Sequence, residues 1–259
     1  MVVSRWTSAG RSGWALACAC VLAACSSTTT TQQVAPPAPD GVAGNPWAVA
    51  SATGVGQGHW KHQEFPGKRA SRYRYARIDG RDAMAARAES SASMLRQQVR
   101  IEPADLSHVR FSWKVPALMA SADLTDRDLS DSPVRIVLAF EGDRSRFSAR
   151  DAMLSELAHA LTGEPMPYAT LMYVWDTRSA TGTVLNNTRT SRIRKLVMES
   201  GPGKLNQWMD YERDIRADFM KAFGEAPGAL VSIGIMTDSD NTASTATAWY
   251  GPVRHVRGR

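Results

Sequence analysis

The sequence predicts a mainly all-β protein, a jelly-roll-like antiparallel β-sandwich with one or two peripheral helices. Three observations carry this. From residue 59 onward the apolar side chains recur mostly at every second position, the period of a half-buried strand. Glycine, proline, asparagine and aspartate interrupt that pattern every ten or so residues, at the spacing of turns between short strands. Only two segments change to helical spacing. Many strands with few helices fit two packed sheets, because the apolar face of each sheet must bury itself against a second layer.

Residues 1–24 read as a secretory leader, with Arg5 and Arg11 ahead of an apolar run at 14–24. That run is about half the roughly 20 residues a bilayer-spanning helix needs, so a permanent membrane helix is not expected. Leu22-Ala23-Ala24-Cys25 resembles the bacterial lipobox, in which the cysteine is acylated and becomes the first residue of the mature chain. The resemblance implies a palmitate-type lipid anchor on Cys25. Ser26, where aspartate would signal retention, implies an outer-membrane lipoprotein with its domain in the periplasm. The membrane is then a partner through lipid alone.

Residues 25–58 hold a run of serine and threonine, then Ala35-Pro36-Pro37-Ala38-Pro39, then a Gly/Ala/Val stretch. Such a segment buries too little apolar surface to offset its ordering entropy, so it is a disordered tether. Gly54-x-Gly56-x-Gly58 follows no predicted strand and opens no helix, which makes it a poor phosphate cradle.

Residues 59–259 form one domain of about 200 residues, enough for a sizeable core. The predicted strands begin with 59–65, 72–78 and 83–89. Next, Leu95, Val99 and Ile101 alternate with Arg96, Gln98 and Arg100; Val109, Phe111, Trp113 and Val115 alternate with His108, Arg110, Ser112 and Lys114. Residues 134–140, 169–175 and 230–236 are near-continuous apolar runs, the mark of central strands covered on both faces. Residues 192–199 and 247–256 complete the set of roughly nine or ten strands. Ser148-Ala149-Arg150-Asp151 resembles a capping box, and Leu154, Leu157, Ala158 and Leu161 follow as an apolar helical stripe ending at Gly163. Ile215, Phe219, Ala222 and Phe223 repeat the pattern before Gly224.

Composition removes several function classes. Cys18, Cys20 and Cys25 all lie in the leader or at its cut, so the domain has no disulfide, cysteine-ligated metal or cysteine nucleophile. The net charge of +6 comes from 31 basic and 25 acidic residues, with the arginines scattered through strands rather than gathered. That distribution gives no nucleic-acid footprint. There is no Gly-x-Ser-x-Gly elbow and no His-Glu-x-x-His, and His59 and His62 would point to opposite faces of a strand.

Gly203-Lys204-Leu205-Asn206-Gln207-Trp208, Glu212-Arg213-Asp214-Ile215, Phe223-Gly224-Glu225 and above all Met236-Thr237-Asp238-Ser239-Asp240-Asn241-Thr242 resemble a bacterial envelope family classed as domain of unknown function 3047. Ala248-Trp249-Tyr250-Gly251, Glu64-Phe65-Pro66-Gly67-Lys68 and Phe111-Ser112-Trp113-Lys114-Val115 extend the resemblance over almost the whole domain. It implies a jelly-roll-like β domain akin to carbohydrate-binding modules, and transfers no catalytic residues. Where adjacent aspartates are expected before the central strand, this chain has Ser130-Asp131-Ser132-Pro133, one carboxylate in place of two.

The candidate sites follow. Asp238, Asp240, Asn241 and Thr242 present oxygens at a spacing that can wrap a structural calcium ion. Ala243 and Trp249 stand where an EF-hand needs Gly and Glu, and an Asx-type turn uses the same side chains without metal. Asp131 and Arg135 can pair at a strand start or line a binding rim. Trp249 and Tyr250 are adjacent on a strand, so one faces out, where with Trp208 it can stack on a sugar ring. The reading is a non-catalytic module that binds glycan or another envelope component. The alternatives are a polysaccharide hydrolase or lyase using carboxylates near Asp238, with Glu199, Glu212 and Asp240 as further acids, and a purely structural role in envelope assembly.

Overall fold

The computed structural model describes residues 60–256. The leader, Cys25, the tether, Gly54-x-Gly56-x-Gly58 and His59 lie outside the described residues. The strands are β1 (Lys61–Glu64), β2 (Arg72–Ile78), β3 (Arg81–Glu89), β4 (Ala92–Ile101), β5 (His108–Lys114), β6 (Arg135–Phe140), β7 (Ala169–Asp176), β8 (Val184–Asn186), β9 (Ile193–Ser200), β10 (Trp208–Asp214), β11 (Leu230–Asp238), β12 (Thr245–Tyr250) and β13 (Arg254–Val256). The helices are α1 (Ala149–Thr162) and α2 (Ile215–Phe223).

These strands make the two sheets of a β-sandwich. The seven-stranded sheet runs β1-β4-β11-β6-β7-β9-β8; the six-stranded one runs β10-β5-β12-β3-β2, with β13 also paired to β5. Every pairing is antiparallel except β7 with β9, which is parallel. The departure has a local cause: the chain between them turns back through β8, which pairs antiparallel to β9 at the sheet edge.

The period-two pattern becomes the core as expected. Phe111 of β5 stacks on Tyr173 of β7 at 5.3 Å, joining one sheet to the other, and packs beside Trp113 and Tyr211. Trp113 and Trp175 are buried. The run predicted at 134–140 is the central strand β6, buried along its whole length. Asp79 and Gly80 both take positive φ at the β2–β3 hairpin, the conformation that favours Asp-Gly in a two-residue turn.

Two strands were not expected. β8 has three residues and no period to read. β10 carries Asp210, Glu212 and Asp214 on an edge, and its inward Met209 and Tyr211 are too few to signal a strand. The segment expected as one strand at 247–256 divides into β12 and β13 at Gly251. A Cβ there would lie 2.1 Å from Ser112 Oγ, so glycine lets the chain pass close to β5.

The two helices behave differently. α2 buries Ile215 and Phe219 as its sequence stripe predicts, with Phe219 edge-on to Phe140 at 4.7 Å. α1 has the predicted Ser148 cap and a left-handed Gly163, but its buried residues are Asp151 and Ser155. Leu157 and Leu161 of its apolar stripe, with Met153, are exposed. The polar side is drawn inward because Asp151 accepts hydrogen bonds from Thr190 Oγ1, Ser191 Oγ and Ser191 N, fastening the helix to the β8–β9 loop. Among the described residues, no helix is long and apolar enough to cross a membrane.

Candidate functional site

The outward side of the six-stranded sheet brings together two residues singled out in the sequence. On β12, Ala246, Ala248 and Tyr250 are buried, so Thr245, Thr247 and Trp249 face away from the core. Trp249 pairs with Lys114 of β5, and on the other side of β5 Lys114 pairs with Trp208 of β10. The two indoles therefore stand in one cross-strand row, two strand spacings or about 9.6 Å apart, with Lys114 between them. On its other flank Trp249 pairs with Ala85 of β3, whose small side chain leaves the indole standing above its neighbour.

Charged groups surround this row. Lys114 Nζ donates to Asp79 Oδ2 at 2.7 Å, and that hydrogen bond holds the Asp79 carboxyl below its ordinary value. Arg81 donates to both oxygens of Asp210 at 2.8 and 3.0 Å while its guanidinium lies 5.3 Å from the Trp208 ring centre. Both indoles are half-buried, so each is anchored and keeps exposed ring surface. Such a surface offers indole ring area with the Arg81 guanidinium over one ring and carboxylates beside it, groups that can stack on a polyhydroxylated ring and take up its hydroxyls.

Tyr250 belongs elsewhere. It is fully buried, donates to Met236 O at 2.6 Å, lies 2.8 Å from Thr237 Oγ1 and accepts from Arg135 N. It is thus a bolt between the sheets rather than a ligand contact, because the pleat that turns Trp249 outward turns its neighbour inward.

Asp131 and Arg135 do not pair with each other. Both are buried, and the guanidinium of Arg135 meets Asp238 with two hydrogen bonds of 2.8 Å. Burial pushes the Asp238 carboxyl above its ordinary value, and the Arg135 charge restrains the rise. Asp131 instead accepts from Asn241 Nδ2, Thr242 N and Thr242 Oγ1 at 2.7 to 2.8 Å.

One oxygen each of Asp131, Asp238 and Asp240 lies within 4.8 Å of the others, a spacing that fits a cation. The donor chemistry fits poorly. Arg135 occupies Asp238, Lys68 occupies Asp240, and Asn241 and Thr242 turn their polar atoms toward Asp131. Calcium would have to displace these donors. We read the loop as a structural clasp.

The further acids considered for hydrolysis are likewise engaged. Glu199 is buried and accepts from Tyr211 Oη and Lys204 Nζ, and Glu212 is an exposed partner of Arg110. The Trp208 row needed the β10–β5 register, which no local pattern carries; Lys114 and Asp79, the polar residues beside it, were not singled out for the same reason.

Among solved structures the chain is similar to the family 11 carbohydrate-binding module of cellulosomal cellulase Lic26A-Cel5E of Clostridium thermocellum, at 8% identity over 75% of this chain and 85% of that one, with a TM-score of 0.37. It is also similar to a family 11 module from Clostridium thermocellum in complex with a β-1,3-1,4-mixed-linked tetrasaccharide, at 9% identity, coverage of 75% and 86%, and a TM-score of 0.33. A third is the xyloglucanase domain of NopAA, a type three effector from Sinorhizobium fredii in complex with cellobiose, at 9% identity, coverage of 77% and 93%, and a TM-score of 0.39. No curated protein matches. Over residues 58–254 the sequence matches the family described as Protein of unknown function (DUF3047), and the chain belongs to that family.

Proposed function

We propose that this is a lipid-anchored, non-catalytic glycan-binding module of the bacterial envelope, with the glycan lying across the outer face of the six-stranded sheet on Trp208 and Trp249. One observation carries it: β5 sets two half-buried indoles in a single row, spaced to meet alternate rings of a chain whose repeat is a disaccharide. The binding reading is favoured over hydrolysis because Asp238 is committed to Arg135 in the interior.

Two stacked rings contribute only a few kcal/mol after ordering and desolvation, so the affinity is micromolar to millimolar. A glycan array followed by titration calorimetry tests this. Trp208→Ala and Trp249→Ala should each weaken binding about tenfold, roughly 1.4 kcal/mol, with the fold retained. Unchanged affinity in both variants would overturn the platform, and reducing ends released from the bound glycan would overturn the non-catalytic reading. The anchor has a separate test: Cys25→Ser should move the protein out of the membrane fraction or leave an uncleaved precursor. Unchanged fractionation and size would remove the anchor from the proposal.

A further inference from the structure

The outer face of the seven-stranded sheet, opposite the indole row, holds a groove of about 1140 Å³. Its floor comes from outward positions of neighbouring strands: Met94 of β4 opposes Met236 of β11, and Val137 of β6 opposes Met172 of β7. Ala139 and Ile193 continue it. Between them Gly234 keeps the floor low, since a Cβ there would crowd Leu95 O and Met94 Sδ at 3.2 and 3.3 Å. Ala158 and Thr162 of α1, with the proline-rich turn that follows, line it too. The lining includes four methionines against three aromatic residues, Phe65, Phe140 and Tyr168, and no tryptophan. Flexible thioethers mould to an irregular apolar shape, whereas sugar rings favour rigid aromatic faces.

A second hollow of about 280 Å³ shares Phe65, Met172 and Met236 with the groove. Its lining is more cationic, with five cations and two carboxylates, whereas the groove sets its apolar floor inside a rim of Arg96, Arg100, Arg144, Glu102, Glu141 and Glu164 that balances in charge. The carboxylates are already matched: Asp238 is held by Arg135, and Asp240 by Lys68. Three cations remain. Lys195 is buried and donates to Leu124 O and Ser130 Oγ, two neutral oxygens. Among the described residues Arg127 has an ion pair only with Asp128, at 3.9 Å, and Arg189 has none. A trough with an apolar floor and a charge-balanced rim thus runs into a hollow with an excess of positive charge.

We propose that the two hollows form one binding site for a long-chain amphiphile with an anionic headgroup, its chain on the methionine floor and its head among Lys195, Arg127 and Arg189. The floor crosses five strands from β4 to β9, about 19 Å, which suits an extended chain rather than a compact apolar ligand. Burial, reinforced by the charge of Arg135, holds the Lys195 ammonium down at about 7, so a bound anion would return to it the charge that the interior disfavours.

The test uses the full chain in neutral phosphatidylcholine vesicles with three photoreactive diazirine probes: palmitate, its uncharged methyl ester, and a phosphatidate. Labelled peptides are mapped by mass spectrometry. Palmitate or phosphatidate should label peptides containing Met94, Met172 or Met236, and the stronger of the two identifies the head as carboxylate or phosphate. Ala139→Trp, which fills the floor from an outward position, should reduce this label at least tenfold. The exposed pair Arg127→Glu and Arg189→Glu, which does not depend on repacking, should reduce label from the anions severalfold and leave the ester unchanged. Arg72→Ala, an exposed change on β2 of the other sheet, should leave the label unchanged. Equal labelling by acid and ester, label indifferent to both variants, or label confined to the exposed Met153, Leu157 and Leu161 of α1 would overturn the proposal.

Discussion

Asp151 and Asp238 are both buried acids, yet they shift in opposite directions because hydrogen bonds outweigh burial at the first and burial prevails at the second. Burial pushes Asp151 up, but hydrogen bonds from Ser191, Thr190 and Ser148 outweigh it and hold the carboxyl at about 2. A depressed acid contributes stability above its unfolded value of 3.8, and the contribution is lost as pH falls through the folded one. With solvent screening allowed for, Asp151→Asn should cost about 1 to 2 kcal/mol at pH 7. It should also flatten the fall in urea midpoint between about pH 4 and pH 2. Asp238 is more deeply enclosed and faces a like charge from Asp131, so burial prevails over the Arg135 pair. Arg135→Met should destabilise by about 3 to 5 kcal/mol, since it leaves a buried carboxylate unmatched, and adding Asp238→Leu should recover most of the loss. Chemical denaturation of the two single variants and the double variant measures this.

At the scale of elements, α1 and α2 have similar apolar stripes in sequence and opposite fates in the fold. The stripe of α2 meets Phe140 and is buried; in the stripe of α1 Leu157 and Leu161 face out while Leu154 and Ala158 are half-buried, because Asp151 and Ser155 are pulled inward by the β8–β9 loop and by Arg144, which donates to Ser155 Oγ at 2.9 Å. Helical periodicity states which residues share a face, and says nothing of whether that face has a partner. Phe219→Ala should cost about 3 to 5 kcal/mol as a buried aromatic truncation. Leu157→Glu and Leu161→Glu should stay within about 0.5 kcal/mol of the parent, as exposed substitutions do. Midpoints from urea titration distinguish the two helices; a large loss at Leu157 would mean its stripe is covered.

At the scale of the molecule, the sandwich places two unlike surfaces on opposite faces: a flat indole row on one sheet and an apolar groove with a basic end on the other. The clasp at Asp131, Asp238 and Asp240 sits where β11 ends, next to that basic end. Since internal donors already satisfy the three carboxylates, calcium and chelator at matched ionic strength should leave the melting temperature unchanged. A rise of several degrees with calcium, the size expected when a ligand at a hundred times its dissociation constant adds about 2.7 kcal/mol, would reinstate the ion.

The strands with clear period-two or continuous apolar character, from 72–78 through 230–236, were legible one by one, as were both helices, because each is specified by contacts between residues a few positions apart. Cross-strand register is different in kind. Whether Trp208 and Trp249 share a row, whether Arg135 meets Asp131 or Asp238, and whether the stripe of α1 is covered all depend on partners about 40 to 135 residues away, chosen only when the sheets close. The sequence by itself determined a β-sandwich and which residues alternate in and out along the strands whose period it carries. Only the tertiary structure decided which strands are neighbours, and therefore which side chains meet to form a clasp, an indole row and a groove, because sheet pairing is a long-range choice that local pattern does not encode.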